Sequence, residues 1–302
     1  MCGSAPRPRD DGIRRGIRLA AVCTFSVCLT GHAQTGIVQA APADRPPSDA
    51  ITDPVSATAT STSRTSTLAA LRTAFAQRVV KPTAPDPARL NQLLEAARAT
   101  FALADRVWPA DEMFLLVDRH PQSQEAIVAL ALAGHTWAVI GGASVSTGRP
   151  GRFDYYCTPT GVFEHGVATG SFRAEGTFND NGIRGYGLAG MRIFDLGWVS
   201  AIKGWGSGGV NTIRLQVHAT DPVLEQRLGQ PASKGCIRVD SGLNRFLDQY
   251  GVLDAGFEAS FRETGERPWF WLADRTPTPW SGRWVVVVEV PPLHNPPSPG
   301  RP

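Results

Sequence analysis

In the stretch "QPASKGCIRVD", Gln230 to Asp240, a lone cysteine, Cys236, follows a Ser-Lys-Gly turn and leads at once into apolar sequence. Upstream, "IRLQVH" alternates Ile213, Leu215 and Val217 with Arg214, Gln216 and His218, the pattern of a strand with one polar face that carries the histidine. A histidine satisfied inside the core would sit with the Ile, Leu and Val instead. A thiol with a pKa of about 8.5 is only slightly ionised at neutral pH, so an imidazole that takes its proton creates the nucleophile. Fourteen residues separate His218 from Ser233, enough for the chain to turn and bring Cys236 back beside the ring. Gly235 lets the backbone approach closely, successive amides at such a turn can face a developing oxyanion, and Arg238 can hold a substrate carboxylate. The competing reading of His218 is a solvent-exposed strand end. His165, which alternates with Phe163, is the rival base, while His120 and His135 fall in turn-like sequence.

Cysteine is used sparingly. Of five cysteines, Cys2, Cys23 and Cys28 lie in an N-terminal segment with the order of an export signal: Arg14, Arg15 and Arg18, then "LAAVCTFSVCLTG", then "GHA". Cleavage after Ala33 or after "VQAA" at Ala41 both fit, and the apolar run is short for a membrane span. Cys23 and Cys28 each follow a valine where a lipoprotein site wants a small residue, so no lipid anchor is expected. The exported chain then keeps Cys157 and Cys236. A nucleophile cannot be locked in a bridge, so both are expected as free thiols, with Cys157 a small core residue. The net charge of +3 resides entirely in Met1 to Ala33, and the remainder is neutral, so charge gives no argument for nucleic acid or an anionic membrane. No clustered Cys or His spacing suggests a metal.

The elements that must position the pair are mostly strands. Residues 1–33 read as the signal and 34–67, rich in Ala, Pro, Ser and Thr, as a disordered tether. Helical sequence follows over 68–108: "STLAALRTAFAQRV", then "DPARLNQLLEAARATFALADRVW", with Asp86 as N-cap, Pro87 at the first position, and Leu90, Leu94, Ala97, Phe101 and Ala104 on one face. From 109 to 291 the short runs "MFLLVD", "EAIVALAL", "TWAVIGG", "GVFEH", "NTIRLQVH" and "RWVVVVEV" read as strands, with a hairpin at Ala133-Gly134-His135. One later helix, "SGLNRFLDQYG", stops at Gly251, and the proline-rich tail, 292–302, packs nowhere. The expected class is mainly β with α (α+β), a β-rich domain preceded by short helices.

"HATDPVLEQRLGQPASKGCIR" resembles the signature of the L,D-transpeptidases, the YkuD-type catalytic domain: a histidine, about fifteen residues, then Ser-x-Gly-Cys and a closing Arg or Asn. A second stretch, "VSTGRPGRFDYYCTPTGVF", is similar to the family's Ser-Thr-Gly to Thr-Pro-Thr-Gly-x-Phe segment, and the resemblance covers about 111–290. It implies a YkuD-like β-rich fold, Cys236 as nucleophile, His218 as base oriented by the carbonyl of Ala219, the amides around Gly235 and Cys236 as oxyanion site, and Arg238 on the substrate, with Ser233 shaping the turn.

Lys234 stands where the family commonly has histidine, and could favour the thiolate; Ala219 stands where glycine is common. Glu258 to Trp271 reads as an insertion, and Tyr186, Trp198 and Trp205 lie in loops where a substrate lid would be sought. The implied substrate is the peptidoglycan stem peptide in the periplasm or wall, where such enzymes contribute to cell-wall organisation and cell shape. D-alanine leaves, and the acyl group passes to an amine of another stem or of a lipoprotein. Hydrolysis would make the same site an L,D-carboxypeptidase, and a silent wall-binding module is the non-enzymatic alternative. A papain-like peptidase would want the cysteine before the histidine. The scheme requires no cofactor or metal, no nucleic acid and no stable membrane anchor.

Overall fold

A computed structural model describes residues 54–292, with side chains from Ser63 onward. The expected signal, the tether before Pro54 and the tail past Pro292 lie outside the described residues. In chain order the elements are α1 (Pro54–Arg78), β1 (Pro82–Thr83), α2 (Pro87–Leu103), β2 (Met113–Asp118), β3 (Glu125–Leu132), β4 (Thr136–Ser144), β5 (Gly161–Glu164), β6 (Ser171–Arg173), β7 (Arg192–Ile202), β8 (Val210–Ala219), β9 (Ile237–Val239), α3 (Ser241–Gln249), α4 (Ala255–Thr264) and β10 (Trp284–Val288). Six strands form one sheet in the order β1-β4-β3-β2-β10-β5, and four form a second, β6-β7-β8-β9. The class is α+β with β predominating, as expected.

The continuous apolar runs have a simple cause. The central strands of the first sheet are covered on both faces, so neither set of alternating side chains can be polar. Met113, Leu115, Val117, Val285 and Val287 face a core shared with Phe194, Leu215 and Val217 of the second sheet, with α3, with Leu71 and Phe75 of α1, and with Val79 just past its end. Phe114, Leu116, Ile127, Val286 and Val288 face the other way, onto Leu93, Leu94, Ala97 and Phe101 of α2.

Helix α2 begins where the sequence indicates: Asp86 Oδ1 accepts from the Arg89 amide at 2.8 Å, with Pro87 next. Its stripe is rotated slightly from the one expected. Leu93 is buried, Leu90 is half-buried, and Ala104, the C-cap, is exposed. Arg89 is buried too, paired with Asp118 and, at 3.2 Å, with Glu125, and it donates to the carbonyls of Val290 and Pro291. Thus α2 is fastened to the segment just past β10 as well as packed on the sheet. A chain beginning near Ser66 is expected to keep full activity, whereas one beginning at Asp111 uncovers a whole sheet face and should unfold or aggregate. For a single contact, Phe101→Ala should cost about 3–5 kcal/mol in denaturant unfolding.

Three expectations need correction. The tether was expected to be disordered to Thr67, but α1 already runs from Pro54. Its first half is rich in Ala, Ser and Thr, none of which breaks a helix, and its second half is anchored by Leu71, Ala74 and Phe75, so helix propagates outward from the packed turns. Second, "SGLNRFLDQYG" is not the only late helix, because α4 follows it. Third, the stretch read as an insertion, Glu258 to Trp271, is part of the packing: Phe257, Phe270 and Trp271 form a cluster, and Phe270 lies over the fully buried Arg192, 4.2 Å from its guanidinium. Arg192 is held by Asp248 at 3.0 Å and Asp254 at 2.8 Å. Removing its charge would strand two buried carboxylates, so α4 and the following loop close the end of the second sheet. No helix among the described residues is long and apolar enough to cross a membrane.

Candidate active site

Strand β8 positions the histidine. Leu215 and Val217 point into the core between the sheets, which turns Gln216 and His218 to the opposite face. The His218 Nδ1 lies 2.8 Å from the carbonyl oxygen of Ala219. A carbonyl only accepts, so Nδ1 carries the proton and Nε2 is left as a lone-pair acceptor, the tautomer a general base needs. The ring is 4 % exposed, and burial, reinforced by the nearby Arg238 charge, depresses its pKa to about 4 against the backbone hydrogen bond. It is therefore neutral across the physiological range.

The cysteine arrives on the neighbouring strand. β8 and β9 pair in parallel, with Val217 opposite Ile237 and His218 opposite Arg238. Continuing that register puts Cys236 opposite Gln216, on the same face as His218 and Arg238. Parallel-strand geometry then separates the Cα atoms of Cys236 and His218 by roughly 8 Å, a diagonal that two side chains can close. The thiol is half-buried and free, with Sγ 3.6 Å from the Arg214 carbonyl. Burial raises its pKa, opposed by the Gln216 backbone and the Arg238 guanidinium and aided by Asp195. Both partners are thus neutral at rest, and the chemistry open to them is transfer of the thiol proton to Nε2 as sulfur attacks.

The turn before the cysteine is tightly built. Ser233 Oγ accepts from the Gly235 amide at 3.0 Å and donates to the Cys236 carbonyl at 2.6 Å, so this hydroxyl shapes the turn. Gly235 has φ 136°, and a Cβ there would stand 2.9 Å from Ile213 Cδ1. Because the Gly235 amide is engaged by Ser233, of the two amides expected to face an oxyanion only that of Cys236 remains a candidate.

Around this turn wraps the second stretch singled out in the sequence. Ser146 exchanges both backbone hydrogen bonds with Arg238, the Arg149 amide donates to the Ser233 carbonyl, the Tyr156 amide to that of Lys234, and the Thr158 hydroxyl to that of Gly235 at 2.7 Å. Gly148 is essential to the wrap, since a Cβ there would fall 1.9 Å from the Tyr156 carbonyl oxygen. Gly148→Ala is therefore expected to loosen the cysteine turn. The alkylation rate of Cys236 should change at least several-fold, alongside a lower melting temperature, and an unaltered rate would contradict the wrap.

Other sequence expectations divide. Arg238 is where it was wanted, on the face shared by thiol and imidazole, with Nη1 3.3 Å from the Ala232 carbonyl. Lys234 is not: it turns away to Asp154 at 2.7 Å, both side chains well exposed, and so does not assist the thiolate. Cys157 is buried as expected but is disulfide-bonded, so the expectation of a free thiol holds for Cys236 and not for Cys157. Cys236 therefore keeps its thiol while Cys157 is removed from competition. Tyr186 stands edge-on to His218, ring centroids 4.7 Å apart, and half of it is open to solvent; Trp198 is exposed, and Trp205 packs on Phe153 and Tyr156. Of these three aromatics, Tyr186 is the one in ring contact with His218.

His165 is no rival. It is fully buried, with Nδ1 2.8 Å from the Leu253 carbonyl and rings of Phe194 and Phe257 against it. Phe194 belongs to the core face of the second sheet, opposite the one that carries His218. Burial and the adjacent Arg192 hold its pKa down to about 4. In the unfolded chain both His165 and His218 would take a proton near the ordinary 6.5, so their contribution to stability is complete above that pH and is lost as pH falls toward about 4. The unfolding free energy from denaturant titrations should accordingly drop across this window, by up to about 1.4 kcal/mol per pH unit for each ring. A flat profile would show that both rings accept protons in the folded state as readily as in the unfolded one.

No family model and no curated protein matches the chain, and its chemistry is therefore read from the site itself.

Proposed function

We propose that the chain is an L,D-transpeptidase that works on peptidoglycan stem peptides through a Cys236 acyl-enzyme. The observation that carries this reading is the convergence of the two stretches that resemble the family: one supplies His218 and Cys236, and the other wraps the cysteine turn through backbone hydrogen bonds of Ser146, Thr147, Arg149 and Tyr156 and through the Thr158 hydroxyl. Neither arrangement is needed merely to fill a core.

On this proposal, Nε2 of His218 takes the thiol proton while Sγ bonds to the carbonyl carbon that precedes the terminal D-alanine. The carbon–nitrogen bond breaks, the imidazolium returns the proton to the departing amine, and a thioester remains. An amine of a second stem, or a lipoprotein lysine, then attacks the thioester and loses its proton to the imidazole, which restores the thiol. The Cys236 amide faces the oxyanion, and Arg238 holds a carboxylate of the substrate. Arg238 has no carboxylate partner among the described residues, which leaves its charge for a ligand. The substrate places the protein outside the cytoplasm, in the periplasm or at the wall, in keeping with the export-like N-terminal sequence.

Purified protein incubated with tetrapeptide-stem muropeptides should release D-alanine and yield cross-linked dimers resolved by mass spectrometry. Tripeptide monomers without dimers would make it a carboxypeptidase. Binding to peptidoglycan with no D-alanine released would support the silent wall-binding module and overturn the enzymatic reading.

A further inference from the structure

Beside the cysteine turn lies a cavity of about 790 Å³, of whose lining the proposed reaction uses Arg238 alone. Arg149, Arg152, Arg184, Arg227, Lys234 and Arg238 line it, and no Asp or Glu does. Two of the six are neutralised from outside the lining, Arg184 by Asp221 at 3.6 Å and Lys234 by Asp154 at 2.7 Å. Arg149, Arg152, Arg227 and Arg238 have no carboxylate within ion-pair distance among the described residues. Arg238 additionally carries a buried Nε without a hydrogen-bond partner.

Four unpaired guanidiniums gathered in a concavity repel one another and focus a positive potential. One carboxylate would answer only one of them. A phosphate ester carries up to two charges, and its oxygens match the guanidinium fork bidentately, so two linked phosphates would answer all four. Asn179, Asn181 and Gln230 add neutral groups suited to hydroxyls in the space that remains. We propose that this cavity is a binding site for a ligand bearing two linked or neighbouring phosphate groups, separate from the peptide subsite and joined to it through Arg238. The inference does not depend on the acyl-transfer reading, because its test is equilibrium binding.

The experiment is calorimetric titration of the full protein with inorganic pyrophosphate at low ionic strength, with citrate as a polycarboxylate control. Saturable one-to-one binding of pyrophosphate is expected, at least about tenfold tighter than citrate. Arg149→Gln combined with Arg227→Gln should weaken it by about tenfold or more while leaving the melting temperature in place. A nucleoside diphosphate and a bisphosphorylated sugar, titrated in parallel, identify the source of the phosphates, since the native carrier should bind more tightly than pyrophosphate alone. Absence of saturable pyrophosphate binding, equal affinity for citrate, or undiminished affinity in a folded double variant would each overturn the assignment.

Discussion

Replacing Cys236 by alanine is expected to remove D-alanine release and every covalent adduct, while the melting temperature stays within about a degree of the parent. The fold has no stake in the sulfur: it is half-buried at the mouth of the turn, whereas the turn itself is held by Ser233, Thr158 and backbone pairs that alanine leaves untouched. Without a nucleophile the oxyanion donor and binding alone remain, and in comparable hydrolases losing the nucleophile costs about 10⁶ in turnover. Circular dichroism and muropeptide analysis of the same sample make the check. Residual turnover within tenfold of the parent would assign the chemistry elsewhere.

The second large effect concerns His218. His218→Ala should reduce acylation by roughly 10² or more, the ordinary scale for a lost general base. The parent should also show an unusual acid limb. Because burial holds the ring's pKa to about 4, the base stays available well below the ordinary imidazole value, so kcat/KM should fall only as pH approaches about 4. An inflection near 6.5 would mean that the ring is solvated when it acts, and near-normal acylation in the alanine variant would remove it from the mechanism. His218→Gln, which can keep the contact to Ala219 but cannot take a proton, separates positioning from base catalysis and should be as slow as alanine.

Much of this was legible in the sequence. The runs "MFLLVD" and "EAIVALAL" coincide with β2 and β3, and Asp86 caps α2, because full burial and capping leave marks on residue type. The face of β8 that presents His218 could be read from a two-residue alternation. Strand β7 could not: its alternation is interrupted where the register shifts between Asp195 and Trp198, and Gly197 sits at the break. Helix α4 was missed because it buries only Phe257, leaving too weak a stripe. The wrap of Ser146 to Thr158 around the cysteine turn is made mostly of backbone hydrogen bonds, which leave little mark on residue type apart from Gly148 and Thr158. Only the resemblance to a known motif drew attention to it. The direction of Lys234 depended on Asp154, eighty positions away, and spacing carries no information about such a partner.

The most direct test is intact-protein mass spectrometry after exposure to a carbapenem, followed by peptide mapping. The account predicts one adduct per chain, on the peptide that contains Cys236, formed rapidly in the parent, at least about a hundredfold more slowly in His218→Ala, and not at all in Cys236→Ala. A protein that stays unmodified, or that carries the adduct on any other residue, would contradict it.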